Sequence, residues 1–484
     1  MKFFSFLLIS LTFNLIICVV HHTKNEWKSR SIYQLLTDRF AKTEGTKEDC
    51  SDYTKYCGGS FIGIKNHLDY IKGMGFDAIW ISPPLKNKEG SYHGYHNIDL
   101  YNINEHYGTS EELKELIKAC HEKDIWVILD AVPNHMAGDL DYTTFIPFNK
   151  EEHYHTLTDA DCDGHWDEQY YKENCRIWGM PDLNHENDYV KDTLIQWLKD
   201  MLTNYEFDGI RYADVPNVPK WFWGNFTIAA ENTYTFGIFD SNDVDYIASY
   251  QNYMDGVGNY PLFYQIHRSF CDGSMIDLGN YIQNSQNKFT ASKYNTIWFD
   301  NHDNERFLYQ CQLDTRQKVL RNIIIFTLFY EGIPIFYYGD EQYLDKGGDN
   351  DARRQTLFGN YDEDSDIYIL LQKAHSVRKE YKTYDKNFVV KYVDKDNYVF
   401  SRGEVLIAVC NGKYNSIKIK NHGFSKDDKF CDKLNSLDCI SVDDNDILEI
   451  KMEGEPKIYL KYSFCNMINI SKYLLGFFCF VVLF

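Results

Sequence analysis

Basic side chains are scarce relative to acidic ones in this chain of 484 residues. There are 50 Lys and Arg against 71 Asp and Glu, which gives a formal net charge of −21 at pH 7. Because an acidic surface repels phosphate backbones, the composition argues against a nucleic-acid partner. The sequence also lacks an internal repeat, a low-complexity linker and the Cys-x-x-Cys or His-rich spacing typical of zinc sites.

What is present is typical of a globular protein. Hydrophobic residues make up 44% of the chain and charged residues 25%, so a folded chain is expected rather than a disordered one. The length predicts about three domains, or one large barrel with attachments. Aromatic residues are abundant at 16%, and most of them are expected in the core.

Long apolar runs occur only at the two ends of the chain. Met1 and Lys2 precede an apolar stretch, which predicts a secretory signal peptide over residues 1–20, with a membrane anchor as the alternative. Residues 473–484 are apolar, but a run of about 12 residues cannot cross a bilayer. The tail at 463–484 is therefore interpreted either as a lipid-anchor attachment signal or as a segment that packs or lies on a membrane.

Cysteine usage predicts an oxidising compartment. Three close pairs stand in polar loops, as local disulfides do, although spacing alone does not fix the pairing: Cys50 and Cys57, Cys162 and Cys175, and Cys431 and Cys439. The triplet that begins at Asn225 is a glycosylation acceptor if the chain is secreted. Together with the signal peptide, these features predict a secreted glycoprotein or one at the extracellular surface.

Short apolar strands alternate with helical patterns over the first four hundred residues. The clearest strand-like runs begin at Ser31, Ala78, Trp126, Phe207, Tyr234, Thr296 and Gly332. Such alternation implies a parallel sheet, and seven units predict an α/β TIM (β/α)8 barrel whose weakest strand lies near Gly256. Nearly every strand ends in polar residues, and in such barrels the active site lies at those ends.

Two segments depart from the barrel pattern. Residues 135–182 contain no clear helix, and a connection that long inside a compact domain predicts an inserted subdomain. From about residue 386 to 462, period-two alternation broken by Gly, Asn and Asp predicts an antiparallel β domain. The barrel itself is assigned to residues 21–134 and 183–385.

Motifs at the strand ends carry a family resemblance. The segments concerned begin at Trp27 (WKSRSIYQLLTDRF), Tyr92 (YHGY), Asp130 (DAVPNH), Tyr250 (YQNYMDGVGNYP) and Phe299 (FDNHDNERF). In this order they resemble the α-amylases of glycoside hydrolase family 13, particularly the secreted fungal type, over about residues 27–462. The resemblance implies a barrel, an inserted calcium-binding subdomain after the third strand, and a C-terminal sheet domain.

Matching the family's catalytic positions exposes a departure. Glycosidases of this kind need two carboxyl groups that flank the scissile bond. The nucleophile position is Ala213 and the acid/base position is Ile238, whereas Asp303 retains the third family carboxylate. Because side chains alternate along a strand, Asp214 is expected to point away from the face of Arg211 unless a strand bulge re-aims it.

The sequence matches the family's sugar-binding positions more closely than its catalytic positions. Seven residues fall on family positions that hold the glucosyl unit: His93, Tyr95, His135, Arg211, His302, Asp349 and Arg353. The alternative is that they only satisfy one another in the barrel mouth. Departures occur at His96, where the fungal proteins carry Trp, and at Pro216 and Asn217, where they carry Lys and His.

The resemblance also implies a calcium site. Asn134, Glu173 and Asp182 match the side-chain ligands, and Asn217 matches the residue that supplies a backbone carbonyl. Calcium prefers six to eight oxygen ligands of these kinds. The alternative interpretation is that the three side chains cap turns in polar loops.

These observations leave three functional hypotheses. The first is a secreted protein that binds an α-1,4-glucan or maltooligosaccharide and is hydrolytically impaired, in effect a pseudoenzyme. The second is an active retaining endo-α-1,4-glucanase that uses a rearranged acid pair such as Asp214 with Asp303. The third is an ectodomain that escorts a membrane transporter; it is disfavoured because only Met1 and Lys2 precede the first apolar run.

Overall fold

The computed structural model describes residues 22–45, 49–285, 287–426 and 428–461. The predicted signal peptide at 1–20 and the apolar tail at 463–484 lie outside these residues. Within them, no helix is both long enough and apolar enough to span a membrane.

Eighteen strands form the sheets of the described chain. The strands are β1 (Ile32–Gln34), β2 (Ala78–Trp80), β3 (Leu85–Asn87), β4 (Asn97–Ile103), β5 (Trp126–Ala131), β6 (Gly209–Tyr212), β7 (Tyr234–Gly237), β8 (Gly256–Val257), β9 (Thr296–Ile297), β10 (Ile333–Tyr337), β11 (Phe388–Val393), β12 (Asn397–Arg402), β13 (Val405–Cys410), β14 (Tyr414–Ile419), β15 (Lys429–Asp432), β16 (Cys439–Ser441), β17 (Leu448–Glu453) and β18 (Lys457–Lys461).

Helices connect and cover these strands. The α-helices are α1 (Lys24–Trp27), α2 (Thr37–Phe40), α3 (Phe61–Asn66), α4 (Leu68–Gly73), α5 (Ser110–Glu122), α6 (Asp159–Cys162), α7 (Gln169–Lys172), α8 (Asp188–Tyr205), α9 (Lys220–Ala229), α10 (Val244–Ala248), α11 (Tyr260–His267), α12 (Met275–Ser285), α13 (Phe307–Gln310), α14 (Arg316–Phe329) and α15 (Asp366–Glu380). Shorter helical turns lie at Tyr142–Thr144, Glu151–His153, Ile177–Gly179, Val215–Asn217, Ser249–Asn252, Arg268–Asp272, Ser292–Tyr294, Asp340–Gln342, Ala352–Arg354 and Thr383–Asp385.

The predicted barrel is confirmed. Eight strands pair in parallel in the order β8-β7-β6-β5-β2-β1-β10-β9. A single parallel bridge from Gly258 to Thr296 spans the remaining gap, so the barrel is nearly closed. The weakly marked strand near Gly256 is β8, which is only two residues long.

Helix α5 shows why the covering helices form where they do. Thr109 caps its start and Glu112 completes the capping box, so the first free backbone N–H groups are satisfied. Leu113, Leu116 and Cys120 are buried at three- and four-residue spacing, which turns one apolar stripe toward the barrel.

The segment after β5 and the C-terminal region complete the molecule. Between β5 and α8 no described helix is longer than four residues. After α15 the chain forms a six-stranded antiparallel sheet, β11-β12-β13-β18-β15-β16, and a two-stranded sheet, β14-β17. The expected antiparallel domain is therefore present.

Four disulfides are formed in the described residues. The three close cysteine pairs bond as local disulfides, Cys50–Cys57, Cys162–Cys175 and Cys431–Cys439. A fourth, Cys271–Cys311, joins positions 40 residues apart and had no signal in the spacing of the sequence. Cys120 and Cys410 are free and buried.

Candidate active-site cleft

A cleft of about 1410 Å³ opens at the carboxyl ends of the barrel strands. The residues that line it include nearly all of the predicted sugar-binding and catalytic positions: His93, Tyr95, His135, Arg211, Ala213, Ile238, His302, Asp303 and Arg353. Loop residues from the segment after β5 form part of its wall, among them Trp166, Arg176 and Trp178. The sequence-predicted positions are thus brought together in one place.

A buried ion pair lies at the floor of the cleft. Arg211 Nη1 on β6 donates to Asp130 Oδ1 on β5 over 2.9 Å. Tyr95 Oη donates to Asp130 Oδ2 over 2.6 Å, and Trp80 Nε1 donates to the same oxygen over 3.0 Å. The carboxylate is therefore fully engaged by groups of the protein, and its role here is to hold Arg211 and Tyr95 in place.

His302 continues this network. Its Nδ1 lies 2.5 Å from Gln34 Nε2 and its Nε2 lies 2.9 Å from Tyr95 Oη. Since Gln34 can only donate there and the Tyr95 hydroxyl already donates to Asp130, a neutral imidazole with its proton on Nε2 satisfies every partner. Burial lowers the pKa of His302 to about 3, which keeps the ring neutral.

Asp303 is one of the carboxylates that line the open cleft, and its side chain is 47% exposed. It lies 3.4 Å from His302 Nε2 and 3.8 Å from Arg354 Nη2. Burial of the site tends to raise the pKa of Asp303, but His302, Arg354 and Arg211 outweigh it, so the pKa lies below the ordinary value. Asp303 is an anion at neutral pH.

Ala213 and Ile238 occupy the cleft wall where two further carboxyl groups are expected. Ala213 follows directly after β6 and its N–H donates to Ala131 O over 3.0 Å. Ile238 follows β7, is 6% exposed, and shares a small cavity beside the cleft with Trp298 and Asp303. A methyl group and an aliphatic chain can neither attack a sugar nor transfer a proton.

The alternation argument for Asp214 is wrong. Strand β6 ends at Tyr212, and Asp214 adopts a left-handed backbone conformation with φ 51° and ψ 37°. This turn aims the carboxylate into the cleft lining, where Oδ2 lies 3.4 Å from His135 Nδ1. The expected alternation stops with the strand, so Asp214 and Arg211 line the same cleft.

The remaining sugar-binding positions surround this floor. His135 Nε2 lies 2.9 Å from the backbone oxygen of Tyr95, and His93 accepts from the Tyr95 N–H over 3.1 Å. Arg353 donates from Nε to the backbone oxygen of His302 over 3.1 Å. Asp349 lies beside the lining, where Oδ1 accepts two backbone N–H groups of the turn that follows it.

Three of the four residues predicted as metal ligands converge. One tip atom of the Asn134 amide lies 2.8 Å from the backbone oxygen of Asn217 and 3.2 Å from Asp182 Oδ1. With nitrogen there, the amide donates to both; with oxygen there, three oxygens face one another, an arrangement that suits a hard cation. The chemistry of this donor set therefore fits calcium.

Glu173 lies in a segment that is hydrogen-bonded to the turn Val215–Asn217. Gln169 Nε2 donates to Glu173 Oε1 over 2.6 Å and to the backbone oxygen of Pro216 over 3.0 Å. Asn217 Nδ2 in turn donates to the Lys172 backbone oxygen over 2.9 Å. Over the described part of the chain, no three His, Cys, Asp or Glu side chains cluster as a metal site, so amide and carbonyl oxygens would have to complete it.

Several residues of the site were not singled out from the sequence. Arg354 donates to the His302 backbone oxygen over 3.0 Å and faces Asp303, and the doubled Arg353-Arg354 was its only signal. Trp166 and Trp178 stand out in the sequence only as two tryptophans near a close cysteine pair. Gln34 ends the first barrel strand, and its polar side chain there was a usable signal.

Known proteins share this architecture. A family profile described as "Alpha amylase, catalytic domain" matches residues 34–355. The chain is 33% identical over 472 residues to an alpha-amylase of Saccharomycopsis fibuligera, covering 91% of this chain and 93% of the relative. It is 34% identical over 478 residues to alpha-amylase 1 of Schwanniomyces occidentalis, with 91% of each chain covered.

Solved structures of alpha-amylases also share this fold. An alpha-amylase from Malbranchea cinnamomea superposes with a TM-score of 0.84 at 30% identity, covering 91% of this chain and 98% of the other. An alpha-amylase from Geobacillus thermoleovorans, complexed with acarbose, superposes with a TM-score of 0.82 at 29% identity, covering 90% and 99%. The matched family region contains the last residue of β1, the other seven barrel strands and the cleft floor between them, and this chain therefore belongs to the alpha-amylase family.

Proposed function

We propose that this protein is a secreted member of the family that binds an α-1,4-glucan or maltooligosaccharide and has little or no hydrolytic activity. The observation that carries the proposal is the apolar cleft wall at Ala213 and Ile238 beside an intact polar floor. The floor offers hydroxyl partners in His302, Asp303 and Arg353, and Tyr95 offers an aromatic face.

The chemistry of retaining glycosidases supports the loss of turnover. One carboxylate must attack the anomeric carbon while a second, about 5 Å away, protonates the leaving oxygen. Asp303 is held as an anion beside His302 and Arg354, so it is poorly suited to donate a proton. His302 is a neutral, fully engaged imidazole and cannot take over that role.

An active enzyme with rearranged acids is the second candidate. Its support is Asp214, which lines the cleft through its left-handed turn. Against it, the Asp214 carboxylate is directed at His135, and the wall at Ile238 carries no acid. Asp240 also lines the cleft, but both its oxygens accept the hydroxyl of Tyr264.

An activity assay separates the two candidates. Purified protein is tested on soluble starch and a chromogenic maltooligosaccharide beside the Asp214→Ala variant and the Ala213→Asp/Ile238→Glu double variant. Loss of essential groups typically costs about ten-thousandfold or more in rate, so we expect negligible wild-type turnover that Asp214→Ala does not change. Turnover at the level of an ordinary amylase that Asp214→Ala abolishes would overturn the proposal.

Binding is tested separately from hydrolysis. Retention on an amylose gel and a thermal shift with maltooligosaccharides are expected, because a ligand that binds the folded state alone stabilises it. Arg353→Ala serves as the floor variant, since its guanidinium lines the cleft and only its Nε contacts the backbone. Absence of both retention and thermal shift would contradict glucan binding.

Calcium is proposed as a structural ion. Asn134, Asp182 and the Asn217 carbonyl would hold it together with Glu173, and a bound calcium would supply positive charge among these oxygens. It would link the segment after β5 to the turn that follows β6. We expect a chelator to lower the melting temperature and added calcium to restore it; an unchanged melting temperature would refute the site.

Secretion is proposed on the apolar N-terminal run and on the cysteines. Four disulfides are consistent with an oxidising compartment. A lipid anchor from the apolar tail and a glycan on the exposed Asn225 of α9 belong to the same proposal. Mass spectrometry of the mature protein tests all three at once, because each changes the mass of a terminal or modified peptide.

A further inference from the structure

Helix α9 carries large apolar side chains on its solvent side as well as on its buried side. Phe222, Trp223 and Phe226 are fully buried, as expected of a helix that packs on a barrel. The opposite side carries Trp221, which is 42% exposed, and Ile228, which is 78% exposed. A helix that is apolar all round is normally buried on every side, so the outer side of α9 is unusual for a protein surface.

Asn225 stands between the two exposed apolar side chains. At 3.6 residues per turn, Trp221, Asn225 and Ile228 fall within about 60° of one another and form one stripe along the helix. Asn225 is exposed, and its side-chain amide has no hydrogen bond to any residue that the structure describes. The amide nitrogen can therefore carry a substituent that lies along this stripe.

The same asparagine begins the acceptor triplet for N-glycosylation. The other two residues of the triplet are engaged in the fold, since Phe226 is buried and Thr227 Oγ1 lies 3.1 Å from Tyr212 Oη of β6. Asn225 is thus the exposed member of the triplet, and a glycan attached to it would leave the protein at the centre of the apolar stripe.

We propose that an N-linked glycan on Asn225 lies back along α9 and covers Trp221. Helical side chains lean toward the N-terminus, which directs a substituent on Asn225 toward the residue four positions earlier, about 5–6 Å away between Cβ atoms. The indole offers a flat apolar face, and N-acetylglucosamine, the first sugar of such glycans, also has an apolar ring face. The covalent bond within the stripe identifies the occupant. The inference rests on the proposed secretion, because the chain meets the glycosylation machinery only on that route.

The consequence is that the glycan acts as part of the surface of the folded protein. Without it, Trp221 and Ile228 form an apolar patch in water, and such patches favour self-association. The carbohydrate therefore replaces the polar side chains that an exposed helix face normally carries.

Hydroxyl-radical footprinting read by mass spectrometry measures the exposure of single tryptophans. The full chain, secreted from a eukaryotic host, is compared before and after an amidase removes the glycan, and with the Asn225→Gln variant. We expect the oxidation rate of Trp221 to rise about twofold without the glycan, because a sugar on one face hides about half of an indole. Trp178 is the control, since it is 87% exposed and lies outside α9, so its rate should not change. Thr227→Ser retains the acceptor triplet and should retain the protection of Trp221.

The outcomes separate this inference from the proposed secretion. If the secreted protein carries a glycan on Asn225 but Trp221 oxidises at the same rate without it, the cover is refuted while secretion stands. Secreted protein with an unmodified Asn225 also refutes the cover. If the chain is not secreted, both proposals fail. If Trp221 stays protected without the glycan and sedimentation shows a dimer, the stripe is an interface with a second copy, and the glycan cover is refuted.

Discussion

Arg211 and Asp130 show how strongly single residues at the cleft floor are constrained. Their side chains are 5% and 0% exposed, and the pair is completed by Tyr95 and Trp80. A buried ion pair adds little over an apolar pair, but removal of one partner strands the other charge. The floor is therefore kept by its own polar network, whether or not the cleft performs hydrolysis.

Replacement of Arg211 by Met tests this network. We expect a loss of about 3–5 kcal/mol in the free energy of unfolding, because Asp130 is left buried without its cation. The Asp130→Asn/Arg211→Met double variant should recover part of that loss, since the stranded charge is gone. Both values come from denaturant unfolding followed by circular dichroism.

An exposed ion pair provides the control for this measurement. Lys123 Nζ lies 2.6 Å from Asp69 Oδ1, and both side chains are exposed. Lys123→Ala should cost less than about 1 kcal/mol, because solvent screens such pairs. If Arg211→Met lowers the free energy of unfolding no more than Lys123→Ala does, the buried Arg211–Asp130 pair does not stabilise the cleft floor.

At the scale of elements, helix α5 is docked to the barrel by a histidine in its last turn. His121 Nε2 lies 2.9 Å from Asp208 Oδ2, which also accepts the Val127 N–H over 2.7 Å. The hydrogen bond to Asp208 raises the pKa of His121 above its ordinary value, and burial opposes the shift only in part. The helix C-terminus also favours a cation at this position.

This arrangement predicts a pH-dependent stability. A raised folded-state pKa means that the contribution of His121 is fully present below the unfolded pKa of about 6.5 and is lost as pH rises through the folded pKa. The charged or titrating groups that face His121 are Asp208, Glu206 and His22. We expect the stability advantage of wild type over His121→Gln to be largest at pH 6 and to shrink toward pH 8.5.

Unfolding curves at several pH values check this expectation for His121. The quantity to plot is the difference in unfolding free energy between wild type and His121→Gln, because the difference cancels the titration of groups that the two proteins share. A difference that is constant from pH 6 to pH 8.5, or that grows with pH, would contradict the docking role of the His121–Asp208 contact.

Elements also show how far the sequence predicts the structure. The alternation of apolar strands and helical patterns is a local signal, so the barrel and most of the C-terminal strands were predictable. The orientation of Asp214 was not predictable. Strand β6 ends at Tyr212 and Asp214 adopts a left-handed conformation, so the alternation stops there, and no feature of the sequence marks this change. Cys271–Cys311 was hidden for a different reason: Cys271 lies in the helical turn after α11 and Cys311 directly after α13, 40 residues apart, so the two meet only in the folded chain.

The site was predictable as a set of positions and not as a set of contacts. Motif order identified His302 and Asp303, but the tautomer of His302 follows from Gln34 and Tyr95, which reach it from other strands and loops. Trp178 is an extreme case, since its lack of hydrogen-bond, ion-pair and ring partners among the described residues is a property of the folded chain alone.

At the scale of the whole molecule, one face of the C-terminal sheet shares a hydrophobic core with the barrel. Tyr398, Phe400 and Val405 of that sheet belong to the same buried cluster as the barrel strands. Phe400 contacts Phe326 of α14 with ring centroids 6.1 Å apart. Asn322 adds polar contacts, since its Nδ2 donates to Gly454 O over 2.9 Å and its Oδ1 accepts the Cys410 N–H over 2.8 Å.

This shared core predicts that the two regions unfold together. All nine tryptophans lie at or before Trp298, so tryptophan fluorescence reports on the barrel and its inserted segment and not on the C-terminal sheet. Phe400→Ala should lower the free energy of unfolding by about 3–5 kcal/mol and should shift the fluorescence transition as far as the circular-dichroism transition. Tyr414→Ala, at a residue that is 75% exposed on the two-stranded sheet, should shift neither. A fluorescence transition that stays in place while a separate dichroism transition moves would mean that the sheet unfolds independently, and the contacts of α14 would then not couple the two regions.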